Sequence, residues 1–181
     1  MHAQDDSPAY PLSGIILSGM GHQEHPNAAK ASSPGPSPTF SKDYITRPVD
    51  QKDSVMFGPD TVAQAILAES ERLNHPIPTQ EVVDMEAVWI PHWRHLWAGH
   101  VVVPVMFALA ELDKFFLPTR SRLEECMAAF SRSPGVDGSL VAGAPHCIGL
   151  SHWSSGWYAR CFGFAMECAV TYGIAELTLF D

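Results

Sequence analysis

Basic residues are scarce in this chain of 181: 11 lysines and arginines stand against 20 acidic residues, a formal charge of −9 at pH 7. No Lys/Arg cluster forms a stripe able to neutralise phosphates, which argues against nucleic acid as a partner. Cysteine is sparse too. Cys126, Cys147, Cys161 and Cys168 all lie in the C-terminal third without a CxxC pair, the pattern of small buried thiols in a reducing compartment rather than a disulfide framework. No segment reaches the roughly 18 apolar residues of a membrane span. The opening MHAQDDSPAY carries Asp5 and Asp6 and no apolar stretch of a secretory signal. An intracellular protein is therefore expected, cytoplasmic or peroxisomal, although the terminal Leu179-Phe180-Asp181 is not an S-K-L-type signal.

What is present suffices for one ordinary domain. With 46% hydrophobic residues over this length, the chain can build a core without staples. Residues 1–11 are polar and proline-containing and are expected to be disordered. The run Gly14 to Leu17 reads as a buried strand stopping at the Gly-rich turn Ser18-Gly19-Met20-Gly21. The prolines of SSPGPSP make Asn27 to Thr39 a connector. DTVAQAILAESERL predicts a helix over 60–73, and TQEVVDMEAVWI a second over 79–90, closed by Pro91. This pair reads as a cap inserted at about 22–100.

The densest strand signal, Val101 to Leu109, is apolar on both faces, as in a parallel strand covered on both sides. A helix over 119–130 with Thr119 as N-cap, a turn at SPGVDG, a short strand from Ser139 to Ala142, and a helix over 157–172 ending at Gly173 complete the order. The fold class is α/β. The domain spans 12–173, with 174–181 as a tail.

Two ionisable residues follow predicted strands at the ends where α/β proteins place function. Asp113 comes after the Val101 strand, and His146 after the Ser139 strand. A carboxylate that orients an imidazole, and an imidazole that takes a proton from a serine, are two thirds of a hydrolytic triad. Their order, acid then histidine, is that of the α/β-hydrolases. A helix-preceding carboxylate and a satisfied loop histidine are the structural alternatives.

The segments GIILSGMG, VPVMFALAELDKFF and GAPHCIGLSHWSSGWYARCFGFAMECAV resemble the C-terminal half of fungal α/β-hydrolase-fold proteins of the toxin and secondary-metabolite group. The resemblance covers most of residues 12–173. It implies parallel strands six to eight with a helical cap, Asp113 as the acid and His146 as the base. It also implies ester or thioester hydrolysis on acyl or polyketide intermediates, with no cofactor and no metal. Where the family motif has a Glu after the histidine, this chain has Gly149. It also contains no G-x-S-x-G, the elbow that carries the nucleophile, so a truncated or split hydrolase, or a non-catalytic pseudoenzyme or assembly partner, is expected.

Other residues carry weaker signals. Ser18 is an alternative nucleophile, but a serine needs an aligned base and oxyanion donors. His92 and His95 in PHWRHLW have no third placed metal ligand. Cys147 is read as packing, and Trp153, Trp157, Tyr158, Phe162 and Phe164 as helical core or an acyl-pocket wall. Without the preceding strand, the Gly14–Leu17 edge is expected to be open to a protein partner or to self-association.

Overall fold

The computed structural model describes residues 12–26 and 39–177, and side-chain surroundings as far as Thr171. Residues 1–11, most of the Asn27 to Thr39 connector and 178–181 lie outside the described residues. In chain order the elements are β1 (Ile15–Ser18), β2 (Thr39–Phe40), β3 (Tyr44–Thr46), α1 (Val49–Met56), α2 (Gln64–Ala68), β4 (Ile77–Pro78), α3 (Thr79–Asp84), a π turn (Met85–Trp89), α4 (Ile90–Leu96), β5 (Val105–Ala110), α5 (Arg120–Ala129), β6 (Val136–Val141) and α6 (Ser154–Leu177).

Three parallel strands form the central sheet in the order β1-β5-β6, with Ile15 opposite Val105 and Val105 opposite Val136. All six residues of β5 are buried, because its alternation feeds two separate cores. Val105, Phe107 and Leu109 face a cluster with Trp93, Leu123, Cys126 and Phe130. Met106, Ala108 and Ala110 face Ala144, Ile148 and Trp157. Each large side chain so buried contributes on the order of 2 kcal/mol, so β5 anchors the domain. α5 starts where Thr119 Oγ1 accepts the Arg122 N–H at 3.3 Å, an N-cap worth about 1 kcal/mol. Among the described residues the outer edge of β1 has no partner strand.

Several elements differ from the sequence-based expectation. Pro104 has no N–H for the ladder, so the second strand begins at Val105 rather than Val101; the Pro104 carbonyl still accepts from Ile15 N–H at 2.9 Å. The third strand starts earlier, at Val136, through Asp137 and Gly138. At Gly138 the Met127 side chain occupies the space a Cβ would fill and would have to shift to admit one. Pro91 does not close a helix. The π turn over Met85–Trp89 widens the backbone ahead of it, where its missing N–H and ring would otherwise disturb the ladder, and α4 continues to Leu96. Gly173 likewise does not end α6, which runs to Leu177.

The 60–73 helix shrinks to Gln64–Ala68. Asp60 sits at φ 55° after Gly58 at φ 85°, and buried Thr61 turns its hydroxyl back to the Phe57 carbonyl at 2.8 Å. α1 and the small antiparallel sheet β2-β3-β4 are additions the sequence did not announce. The tryptophans in and just after the 79–96 helical run join the core of the sheet. Trp93 is buried in the β5–α5 core, with Trp89 and Trp97 packed against it.

Candidate active site

β5 ends at Ala110, and the chain turns so that the Asp113 N–H donates to the Ala110 carbonyl at 3.1 Å. This turn presents the Asp113 carboxylate to its own loop. Oδ1 accepts the Phe115 N–H at 2.7 Å and the Phe116 N–H at 3.0 Å, the local pairing that short acidic side chains make with backbone two and three residues on. Oδ2 is left to accept from His146 Nδ1 at 2.8 Å. Asp113 is 3% exposed, so the carboxylate itself is almost wholly withdrawn from water.

His146 follows β6 through Gly143, whose φ of 71° and lack of a Cβ let the chain pass the Trp153 ring, 2.8 Å from where that atom would stand. A carboxylate only accepts, so Nδ1 of His146 is the donor, and in the neutral ring Nε2 then presents a lone pair. The ring lies 4.7 Å from that of Phe115, centroid to centroid. Its Nε2 edge faces Gly19: a Cβ on Gly19 would stand 3.5 Å from Nε2 and 3.4 Å from Cε1. Gly19 has φ 69° and directly follows β1.

The loops are also held from the side of α1. The Cys147 N–H donates to the Met56 carbonyl at 2.9 Å, and the His152 N–H to the Thr61 carbonyl at 2.9 Å. Lys114 Nζ donates to the Ser54 carbonyl at 2.6 Å. The C-terminal end of α1 and the turn after it therefore sit over the ends of β5 and β6.

Asp113 and His146 are thus brought together from 33 residues apart. Ser18 ends β1 exposed, and among the described residues its hydroxyl makes no hydrogen bond to His146. Burial pushes the Cys147 thiol pKa up, against the opposing Leu150 N–H and Lys52 charge, so the thiol stays protonated and is a poor nucleophile. His92 and His95 are exposed, and no described group of three or more His, Cys, Asp or Glu is arranged to hold a metal ion. Trp153, Trp157 and Phe164 pack in the α6-side core, whereas Tyr158 and Phe162 are exposed. Gly149 lies under the Tyr158 hydroxyl, 2.7 Å from the position of a Cβ; any larger side chain there would displace that tyrosine. Two concavities, about 490 and 400 Å³, border the small antiparallel sheet, and neither is lined by Asp113 or His146.

Sequence reasoning missed a second histidine–carboxylate pair. His22 Nε2 donates to Glu125 Oε2 at 2.8 Å, and Cys126 Sγ lies 3.2 Å from His22 Nδ1. Arg122 also donates to Glu125, at 2.7 Å, and the His22 ring stacks on Trp93. The His22 contact above all, with Arg122 assisting, holds the Glu125 carboxyl below its usual range. Burial drives the Cys126 thiol up to about 12, so this cluster resembles a Cys–His–acid triad in layout only. Its one sequence signal was the Glu125-Cys126 pair on a helix facing the Gly-rich turn. Compared with known protein families the sequence matches none, and no curated protein matches it.

Proposed function

We propose that the chain is the acid–base part of an α/β-hydrolase-like serine hydrolase, with its nucleophile on polypeptide outside these 181 residues. The substrates would be esters or thioesters of acyl or polyketide intermediates, in fungal toxin or secondary-metabolite chemistry. The Asp113–His146 hydrogen bond at 2.8 Å carries this reading, together with a lone pair on Nε2 facing the space at Gly19. The serine oxygen attacks the carbonyl carbon while Nε2 takes its proton, and Asp113 stabilises the imidazolium. The proton then goes to the departing alkoxide or thiolate, and water repeats the sequence to free the acid. A second reading, a non-catalytic assembly partner, is supported by the outer edge of β1, which has no partner strand among the described residues and is of the kind that templates another strand.

The isolated chain should hydrolyse p-nitrophenyl acetate no faster than its His146→Ala variant, because losing a nucleophile costs on the order of a millionfold in turnover. Competence of the pair is tested by giving it a nucleophile. In Gly19→Ser the new hydroxyl sits on a Cβ 3.5 Å from Nε2, and a fluorophosphonate probe should label it faster than in Gly19→Ser/His146→Ala. Labelling indifferent to His146 would leave the assembly-partner reading.

A further inference from the structure

Phe115 touches three parts of the site at once. Its N–H donates to Asp113 Oδ1 at 2.7 Å. Its carbonyl accepts the His25 N–H at 2.7 Å, which fastens the segment leading away from Gly19 to the same residue. Its ring stands 4.7 Å from the imidazole of His146, centroid to centroid, with the planes 57° apart; this is the near end of the range over which aromatic rings pack. The Phe116 ring is farther, at 6.4 Å, and packs on Gly21, where a Cβ would stand 2.7 Å from it. The half-buried Phe115 belongs to neither core: among the described residues, the side chains packed around β5 and α5, and those packed under α6, do not include it. Core packing therefore does not account for its contact with His146.

We infer that Phe115 is a positioning residue for His146, its ring the stop that keeps the imidazole aimed at Gly19. The inference rests on the hydrolase reading for its purpose, though not for its geometry. One hydrogen bond, from Nδ1 to Asp113 at 2.8 Å, pins a single atom of the imidazole. The torsion that turns a planar ring about its own stem is broad, so this bond alone leaves Nε2, across the ring, able to swing. Nε2 is the atom whose place matters, 3.5 Å from where a Cβ on Gly19 would stand. A reacting group is held to within about 0.5 Å only when packing locks its rotamer. The Phe115 ring blocks the swing on its own side. Because the backbone of the same residue holds both Asp113 and the Gly19 segment, the stop also keeps register with them. Replacing the side chain leaves those two backbone bonds in place, so the ring can be removed without releasing the acid.

Exchange of the His146 Nδ1–H with water, measured by proton NMR, tests the stop in an otherwise unaltered chain. Phe115→Ala should speed it about tenfold, and Phe115→Leu, which returns bulk to the same place, should recover most of the difference. In the Gly19→Ser background, Phe115→Ala should slow fluorophosphonate labelling about tenfold, since an ångström of misplacement costs up to about a hundredfold; leucine should again recover most of it. If alanine abolishes the cooperative far-UV circular dichroism melt, Phe115→Val takes its place, an apolar stub too short to reach the imidazole. An unchanged Nδ1–H exchange rate in the shortened variant would overturn the inference, and so would a change that leucine leaves unrecovered. Labelling that depends on His146 but is indifferent to Phe115 would overturn it too. A Gly19→Ser chain labelled no faster than Gly19→Ser/His146→Ala would instead defeat the hydrolase reading, and the exchange rate alone then decides the role of Phe115.

Discussion

Asp113 allows a structural role to be separated from an orienting one. In Asp113→Ala the Phe115 and Phe116 N–H groups lose the acceptor they share at 2.7 and 3.0 Å, and His146 Nδ1 loses its own at 2.8 Å. Phe116 is itself buried, so water cannot replace the lost acceptor freely. Each orphaned buried group costs about 1–3 kcal/mol; allowing water to reach the half-buried Phe115 and His146, the variant should lose roughly 2–5 kcal/mol of unfolding free energy in urea titration. Asp113→Asn keeps Oδ1 for the two backbone donors and should lose only about 1 kcal/mol. Its Nδ2, standing where Oδ2 was, must donate, so His146 has to offer a lone pair at Nδ1 and carry its proton on Nε2. Long-range ¹⁵N–¹H correlation of the imidazole should show Nδ1–H in the wild type and Nε2–H in Asp113→Asn. A loss under about 0.5 kcal/mol in Asp113→Ala, or the same tautomer in both proteins, would refute the account of this turn.

Cys126 predicts a limit at high pH. Its thiol titrates near 12 when folded against 9.0 ordinarily, so the folded state holds the proton more tightly; stability is intact below about pH 9 and falls as pH rises from there towards 12. Urea titrations at pH 8 and 10.5 should show a smaller drop for Cys126→Ala than for wild type, and equal drops would contradict the burial assignment. Gly138→Ala drives a Cβ into the Met127 side chain, while Gly135 has nothing within 4 Å. The first should destabilise by about 1–2 kcal/mol and Gly135→Ala by less than about 0.5 kcal/mol, measured by thermal unfolding; equal effects would mean that Met127 moves aside freely.

The parallel strands were legible because burial on two faces writes an unbroken apolar run, as in VMFALA, and Thr119 announced α5 through its side chain. Asp113 and His146 were legible as residues that follow strands. What surrounds them was not. Gly19 reads as an ordinary turn glycine until the fold carries it to the imidazole edge, and the acceptors at Ser54, Met56 and Thr61 are backbone carbonyls, which no residue type advertises. α1, VDQKDSVM, is too polar to show an apolar face; what places it is partly the pairing of Lys52 and Asp53 with buried Ser70. Strands of two or three residues such as Thr39–Phe40 and Ile77–Pro78 are shorter than any alternation that could reveal them. The first half of VDGSLV, Val136 to Gly138, read as a turn because Asp and Gly avoid strands, yet these residues pair with β5, and at Gly138 the Met127 side chain takes the volume a Cβ would fill.

The ties from Ser54, Met56 and Thr61 to Lys114, Cys147 and His152 resemble a three-point instrument mount. Neither loop is located by the sheet alone: each is also fixed to one common rest, the end of α1 and its following turn, which belongs to neither. A tilt or twist of the sheet that would slide one loop past the other must also stretch these struts, so the spacing of carboxylate and imidazole is insulated from strains that begin at β1. The same arrangement makes the segment from Ser54 to Thr61 a place where small displacements become changes of aim. Gly58 and Asp60, in left-handed conformations within it, act as its adjusting screws, since a substitution there alters where the rest stands without touching either member of the pair.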